Sequence, residues 1–408
     1  MRCGLLGQTL AHSHSPLLHS LLGDYAYTLF EKAPDQVEDF LKNGSWDGLN
    51  VTIPYKKTAY ALCDSLSPIA RETGNVNTLL RRRDGSIFGD NTDAFGFESL
   101  LRHASLDPKG KKCLVLGSGG ASNTVTAVLA ELGAETMVIS RSGENNYGNL
   151  QRHEDAAAIV NATPVGMYPN TGVSPVDLKR FPKLEGVLDV IYNPARTQLL
   201  LDAEALHIPC ANGLWMLVAQ AKESAEYFTG KSIDDAVIAK IYGTLAAQMA
   251  NIVLIGMPGC GKSTVGTPLA DKLGRNLVDA DEEIICLAGK SIPAIFAEDG
   301  EAVFRDWETK ALSQLGKQSA LVIATGGGCV TQPRNYPMLH QNGVIFWLKR
   351  DISKLPTDGR PLSQANPLDS MFAKRAPMYA AFADHAVSND GTAEETVAAI
   401  LSIMEEPI

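Results

Sequence analysis

The sequence has no C-x-x-C pair: its seven cysteines, Cys3, Cys63, Cys113, Cys210, Cys260, Cys286 and Cys329, are scattered and odd in number. That distribution argues against a zinc site or a disulfide framework and for a reducing, cytoplasmic setting. No apolar run approaches the roughly 18 residues of a membrane span. The chain opens on Arg2-Cys-Gly-Leu-Leu-Gly7 with no charged-then-apolar leader, so no signal peptide is expected. Dense basic blocks are also missing beyond Arg81-Arg82-Arg83, and the formal net charge is −10. Nucleic acid and anionic membrane surfaces are therefore not expected partners. What remains is an ordinary globular composition, 45% hydrophobic and 20% charged over 408 residues, long enough for two or three domains.

The most specific stretch is Asn251–Thr264, NIVLIGMPGCGKST. An apolar run, Ile252–Ile255, meets Gly256-Met-Pro-Gly-Cys-Gly261-Lys262-Ser263. This is G-x-x-x-x-G-K-[ST] in the strand-to-helix setting of a P-loop. Its glycines turn backbone N–H groups onto phosphate oxygens, Lys262 supplies charge to the β/γ-phosphates, and the Ser263 hydroxyl suits Mg²⁺. Such a loop normally follows the first strand of its domain. A complete unit is therefore expected before it.

That earlier part alternates short apolar runs with amphipathic stretches over residues 1–105, the pattern of a small α/β unit. His12-Ser13-His14-Ser15-Pro16 puts two hydroxyls before a proline suited to a helix's first turn, which serves either as a carboxylate site or as an N-cap. Three further polar clusters, Asn50-Val-Thr52-Ile-Pro54-Tyr-Lys56, Gly74–Thr78 and Gly89–Asp93, lie within or directly after apolar runs. Polar groups so placed are costly to bury unpaired, so together they suggest one shared pocket, although each alone suits a turn or cap. Lys112–Leu116 then leads into Gly117-Ser118-Gly119-Gly120-Ala121-Ser122, a helix over 123–132 and a second strand over 135–140, the opening of a Rossmann βαβ unit. This strand ends in Ser140-Arg141 rather than an acid, which favours NADP over NAD. Residues 159–161 and 187–192 read as further strands, and Asn212-Gly-Leu-Trp-Met-Leu217 leads into Gln220 and a long helical pattern to Met249.

The first 248 residues resemble shikimate dehydrogenase, on HSHSP at 12–16, NVTIPYK at 50–56, GNVNT at 74–78, NTD at 91–93, GSGGAS at 117–122, NATPVGM at 161–167, DVIYNP at 189–194 and GLWMLVAQA at 213–221. The resemblance implies a catalytic pair, Lys56 and Asp93. It further implies that Ser13, Ser15, Thr52, Asn77, Tyr192 and Gln220 hold the substrate's carboxylate and hydroxyls, with Asn50 and Asn91 beside them. NADP would lie on Gly117, Ser118, Gly119, Gly120, Ala121, Ser140, Arg141 and Gly213. The chain departs from the family pattern at Asn145, where NADP-binding members usually carry a second arginine, and 142–158 is short. Subdomains are expected at 1–105 for substrate, 106–212 for NADP and 213–248 for C-terminal helices.

Residues 249–408 resemble shikimate kinase, through the P-loop, Asp279-Ala-Asp281, Phe304-Arg305-Asp-Trp-Glu308, Thr325-Gly326-Gly327-Gly328, Arg360-Pro-Leu and Lys374-Arg375-Ala-Pro-Met-Tyr379. By that resemblance Gly259, Cys260, Gly261, Lys262, Ser263 and Thr264 bind ATP, and Arg360 sits on a lid over it. Asp281, Arg305, Gly327 and Arg375 would bind shikimate, with Lys262 and Asp281 catalytic. Ser263 would ligate Mg²⁺ and Asp279 would help place it through water. Between Arg350 and Arg360 the only basic residue is Lys354, which points to weaker lid closure.

The expectation is thus an α/β protein: a substrate subdomain and a Rossmann NADP subdomain, followed by a P-loop NTPase-type kinase domain. Its expected work is NADPH-dependent reduction of 3-dehydroshikimate and ATP-dependent phosphorylation of the shikimate produced. Alternatives are an NAD-dependent quinate/shikimate dehydrogenase fused to a kinase, or one half kept as a non-catalytic binding module. Nothing in the sequence sets an oligomeric state.

Overall fold

The computed structural model describes residues 1–10, 13–355 and 368–405. His12 and Arg360 lie outside them. The chain divides into two compact units: 1–165, 174–192 and 202–244 form one, and 166–173, 193–201 and 245–408 the other. Among the described residues no helix is long and apolar enough to cross a membrane.

The first unit holds two sheets. One comprises β1 (Arg2–Gly7), β2 (Ala26–Glu31), β3 (Gly48–Val51), β4 (Ser65–Leu66), β5 (Thr78–Arg81) and β6 (Ile87–Asp90), ordered β2-β1-β3-β5-β6-β4. Only β5 runs against its neighbours. Asn50 and Thr78 are register partners across β3 and β5, so two of the polar clusters seen in the sequence meet there. The second sheet comprises β7 (Lys112–Leu116), β8 (Glu135–Ile139), β9 (Ala158–Asn161), β10 (Gly186–Asp189) and β11 (Cys210–Ala211), all parallel in the order β11-β10-β9-β7-β8. Cys113–Leu116 and Ile159–Val160 are wholly buried, as strands covered on both faces must be.

The long helical pattern read up to Met249 resolves into two helices, Leu214–Thr229 and Ala236–Met249. Gly230, in the left-handed region at φ +67°, caps the first of them. That helix packs on the helix Asp93–His103, where Trp215 Nε1 donates to Ser99 Oγ at 2.9 Å and its ring stacks on His103 at 3.8 Å. The two backbones come close because Gly96 has no side chain: a methyl there would stand 2.7 Å from the carbonyl oxygen of Met216. This crossing brings Gln220 to the same place as Asp93.

The second unit is built on a five-stranded parallel sheet. Its strands are β12 (Asn251–Ile255), β13 (Asn276–Asp279), β14 (Leu321–Ala324), β15 (Gly343–Lys349) and β16 (His385–Ser388), ordered β13-β14-β12-β15-β16. The fully buried β12 is central. The segments that follow β12, β13, β14 and β15 therefore converge at one end of the sheet, where open α/β sheets take their ligands.

Candidate active sites

In the first unit a cavity of about 380 Å³ is lined by Ser13, Ser15, Asn50, Thr52, Lys56, Asn77, Asp93, Tyr192 and Gln220, together with Thr9 and the apolar Leu5, Leu10, Val51 and Leu217. Nine of the ten substrate residues suggested by the sequence thus share one wall. Lys56 opens the helix Lys56–Ala61 and Asp93 opens the helix Asp93–His103, a position where the helix dipole favours a carboxylate. Their ion pair is 2.5 Å long, Nζ to Oδ2, and both side chains are mostly shielded. The other carboxylate oxygen accepts from Asn77 Nδ2 at 2.9 Å, so Asp93 is held at both ends. Ser13 and Ser15 stand with their hydroxyls 3.1 Å apart, and Ser13 Oγ also accepts from the Ser15 N–H at 3.2 Å. Burial pushes the Tyr192 phenol above its usual range, so it stays a neutral donor.

Beneath the cavity lies a layer of buried hydroxyls that the sequence did not single out. Thr78, Thr92 and Ser224 form a closed triangle at 3.0, 2.8 and 3.0 Å. Asn77 Oδ1 accepts from the Thr92 backbone at 2.8 Å. Asn50 Nδ2 donates to Ser224 Oγ at 2.8 Å and Thr78 Oγ1 at 3.2 Å, while its carbonyl accepts from Tyr27 at 2.8 Å. Both donors of Asn50 are engaged by the protein, so it serves as a brace more than as a free ligand. Asn91 does not line the cavity. It is 1% exposed and its amide donates to Thr73 Oγ1 and Thr124 Oγ1, each at 2.9 Å, and to Asn75 Oδ1 at 3.3 Å, tying the first sheet to the helix Gly120–Glu131.

That helix begins over the glycine-rich loop. Gly117 has φ +110°, which requires glycine, and its carbonyl accepts from Ser122 Oγ at 2.7 Å; the small hydroxyl thus fits the third motif position by bonding back to the first. Ser118 and Gly119 are exposed, and methyls built on Gly119 or Gly120 would meet nothing within 4 Å. The space above the loop is open and no side chain caps the helix start, which fits a pyrophosphate. Ser140 and Arg141 follow β8, with Arg141 exposed. Asn145 points inward, its Oδ1 3.0 Å from His153 Nε2. Gly213 is buried, donates to Ile191 O at 2.9 Å and would clash with Val190 if it carried a side chain.

In the second unit a cavity of about 850 Å³ collects both halves of the sequence expectation: Gly259, Gly261, Lys262, Ser263 and Thr264 with Asp279, Asp281, Arg305, Gly327 and Arg375. Cys260 is 1% exposed, is absent from the wall, and packs in the core. Lys262 Nζ bonds the carbonyls of Gly256 and Met257 at 3.0 and 3.1 Å. Ser263 Oγ donates to Asp279 Oδ2 at 3.0 Å, and Asp279 Oδ1 caps the next helix through the Asp281 N–H at 3.0 Å. Arg305 Nη1 meets Glu308 Oε2 at 2.9 Å and its Nη2 meets Glu301 at 3.0 Å. Glu308 is almost wholly buried, and desolvation holds its carboxyl above the usual range even against Arg305. The three glycines 326–328 are needed for room. Side chains there would press on Asp281 and Glu308 at 3.0 Å, on Pro258 at 2.6 Å and on Arg305 at 2.5 Å. Arg375 Nη1 and the Tyr379 hydroxyl both donate to Gly327 O, at 3.1 and 2.5 Å. Glu308, Arg350 and Lys354 also line this cavity.

Comparison with known proteins agrees with the geometry of each unit. Residues 5–79 match the shikimate dehydrogenase substrate binding domain and residues 258–405 match shikimate kinase. Over 267 residues the chain is 35% identical to shikimate dehydrogenase (NADP(+)) of Clostridium perfringens, an alignment spanning 60% of this chain and 98% of that protein. The chain belongs to the shikimate dehydrogenase family, with a shikimate kinase domain fused behind it. Both halves are enzyme domains. Solved structures carry the same likeness. A chorismate mutase/shikimate 5-dehydrogenase fusion protein from Clostridium acetobutylicum is 37% identical, with TM-score 0.57 over 60% of this chain and 96% of that one. The Thermus thermophilus shikimate 5-dehydrogenase in complex with NADP(H) and shikimate is 31% identical, with TM-score 0.55 over 59% and 98%.

Proposed function

We propose that the dehydrogenase half reduces 3-dehydroshikimate to shikimate with NADPH, and that the kinase half phosphorylates the shikimate 3-hydroxyl with ATP and Mg²⁺. The observation that carries the first part is the Lys56–Asp93 ion pair on the wall of a cavity that also presents Ser13, Ser15, Asn77, Tyr192 and Gln220. NADPH supplies the hydride. When hydride reaches a ring ketone the oxygen becomes an alkoxide, and the ammonium of Lys56, fixed by Asp93, donates or polarises at that oxygen. The paired serine hydroxyls suit the substrate carboxylate. Asn77, braced from below by Thr92, keeps Asp93 from rotating away. Arg141 gives the 2′-phosphate a cation, while the inward turn of Asn145 leaves it without a second one, so discrimination against NAD is modest.

In the kinase half Arg305 and Arg375 face the cavity as carboxylate receptors, and Asp281 orients the attacking hydroxyl. Lys262 and the P-loop N–H groups stabilise charge on the transferring phosphoryl group. Ser263 Oγ would ligate Mg²⁺ and Asp279, whose Oδ2 lies 3.0 Å from it, would help place the ion through water; the ion, completed by water and phosphate, would neutralise phosphate charge. The test is to follow NADPH oxidation with 3-dehydroshikimate and then add ATP and Mg²⁺. Stoichiometric oxidation followed by shikimate 3-phosphate is expected. Failure of either step with that step's own substrate supplied would overturn that half of the reading.

A further inference from the structure

Five cations line the cavity of the second unit: Lys262, Arg305, Arg350, Lys354 and Arg375. Four are engaged by the protein, Lys262 and Arg375 by loop carbonyls, Arg305 by two glutamates and Lys354 by the carbonyl of Asp390 at 3.2 Å. Arg350 differs. Its Nε is buried with no hydrogen-bond partner among the described residues. Of the acidic side chains that flank this strand end in sequence, Asp351 Oδ1 accepts from Ser353 and Asp390 Oδ1 from the Asp351 N–H at 2.8 Å.

Strand order decides which ligand that guanidinium can reach. The P-loop follows the central β12. On one side of it, β14 leads to Gly326–Gly328, where Arg305 and Arg375 gather. On the other side β15 runs directly into Arg350. Gly261, at φ +96°, faces this second flank: a methyl there would stand 3.5 Å from Arg350 Nη1 and 2.8 Å from Asn389 Nδ2. Asn389 is itself fixed, donating to Cys260 O at 2.6 Å and accepting from Thr396 at 2.7 Å. Arg350 is thus aimed at the phosphate cradle from the flank opposite the shikimate arginines.

We propose that Arg350 is a nucleotide-phosphate ligand, contributing to the binding of ATP and ADP from the side of the P-loop away from the acceptor. The assignment rests on the kinase reading above. A guanidinium adds charge-assisted, directional hydrogen bonds that the P-loop amides do not supply, and it does so from an ordered strand end. Because this contact is made to the nucleotide before and during transfer alike, it acts on affinity more than on turnover.

The experiment measures ADP and inorganic pyrophosphate binding, and shikimate kinase kinetics, on the full chain and on Arg350→Gln and Arg350→Lys. Arg350→Gln is expected to loosen ADP and pyrophosphate about 10- to 100-fold and raise KM for ATP in parallel, with kcat and KM for shikimate within about threefold. Arg350→Lys, which keeps the charge, should recover most of the loss. Wild-type affinity for both ligands in Arg350→Gln would overturn the proposal. So would weakened ADP with unchanged pyrophosphate, which would mark a contact to the nucleoside instead. Equal losses in both variants, accompanied by a raised KM for shikimate, would reduce Arg350 to a structural role and also overturn it. A wild-type chain that bound no ADP would break the kinase reading itself, a distinguishable result.

Discussion

Asn77 donates to Asp93 at 2.9 Å, on the carboxylate oxygen that Lys56 leaves free. Its own carbonyl is pinned by the backbone N–H of Thr92, next to Asp93 in sequence. The orientation of the Lys56–Asp93 pair is therefore set in part by Asn77 and, through it, by Thr92.

Lys56→Ala should lower dehydrogenase turnover by about 10²–10⁴ and leave phosphorylation of supplied shikimate unchanged. Steady-state assays of the two activities on one preparation check this. Turnover within tenfold of wild type would remove Lys56 from its role. Asn77→Ala should lower the same turnover less, since Asp93 keeps its bond to Lys56.

Lys262→Met should abolish kinase activity with the dehydrogenase intact, because the charge on the transferring phosphoryl group loses its P-loop cation. Loss of both activities in a chain with unchanged thermal unfolding would show that the sites are not independent.

NADPH should give a higher kcat/KM than NADH, and Arg141→Ala should narrow the gap. Asn145→Arg should widen it only if the new side chain escapes the inward pocket where Asn145 meets His153. Equal kcat/KM for the two cofactors in the wild type would refute the assignment of Arg141.

Glu223, half-buried on the helix that carries Gln220, should make the first unit lose stability as pH rises. Burial pushes its carboxyl up to about 7, the charge of Glu226 adds to this, and Lys222 opposes it. An unfolded glutamic acid titrates near about 4.3, so between that value and about 7 the native state holds a proton that the unfolded state has released. Stability attributable to this group is full below that window, falls through it and is flat above. Glu223→Gln should remove the fall, gaining about 1–2 kcal/mol at pH 8 relative to pH 5 once solvent screening of a half-buried group is allowed for. Denaturant midpoints at the two pH values measure it, and an equal shift at both would contradict the linkage.

The two phosphate loops were legible because glycine spacing states a backbone requirement: Gly117 and Gly261 do adopt conformations closed to other residues. The cavity residues around Lys56 were legible as motifs, yet the chain alone gave no means of separating wall from support. Asn91 sits in the same NTD run as Asp93 and reads identically, but it faces the helix Gly120–Glu131, where its amide meets Thr124. Thr78 and Thr92 fall within polar clusters that point to the pocket, but Ser224 was invisible. A lone hydroxyl among the charged residues of a helix gives no sign that it will meet two others from distant elements. The helical stretch to Met249 read as continuous, but Gly230 at φ +67° caps the first helix and the polar stretch up to Asp235 keeps the next from beginning before Ala236. Glu308 stood in the quoted run from Phe304 without a role of its own, and Arg350 carried no local signal, since a single charge in sequence reads the same whether it forms a surface pair or faces a cavity.

The near contact of Gly96 with the Met216 backbone bears on biogenesis. Asp93 emerges from the ribosome more than a hundred residues before Gln220, and the wall they share cannot exist until the helix Leu214–Thr229 has cleared the exit tunnel. A nascent chain halted after the Rossmann strands would hold both members of the Lys56–Asp93 pair with one side of their cavity missing. The same geometry sets where the dehydrogenase can be cut free of the kinase. Truncation that removes Leu214–Thr229 deletes part of the cavity wall, whereas a stop placed after Met249 keeps every residue of that wall in the chain.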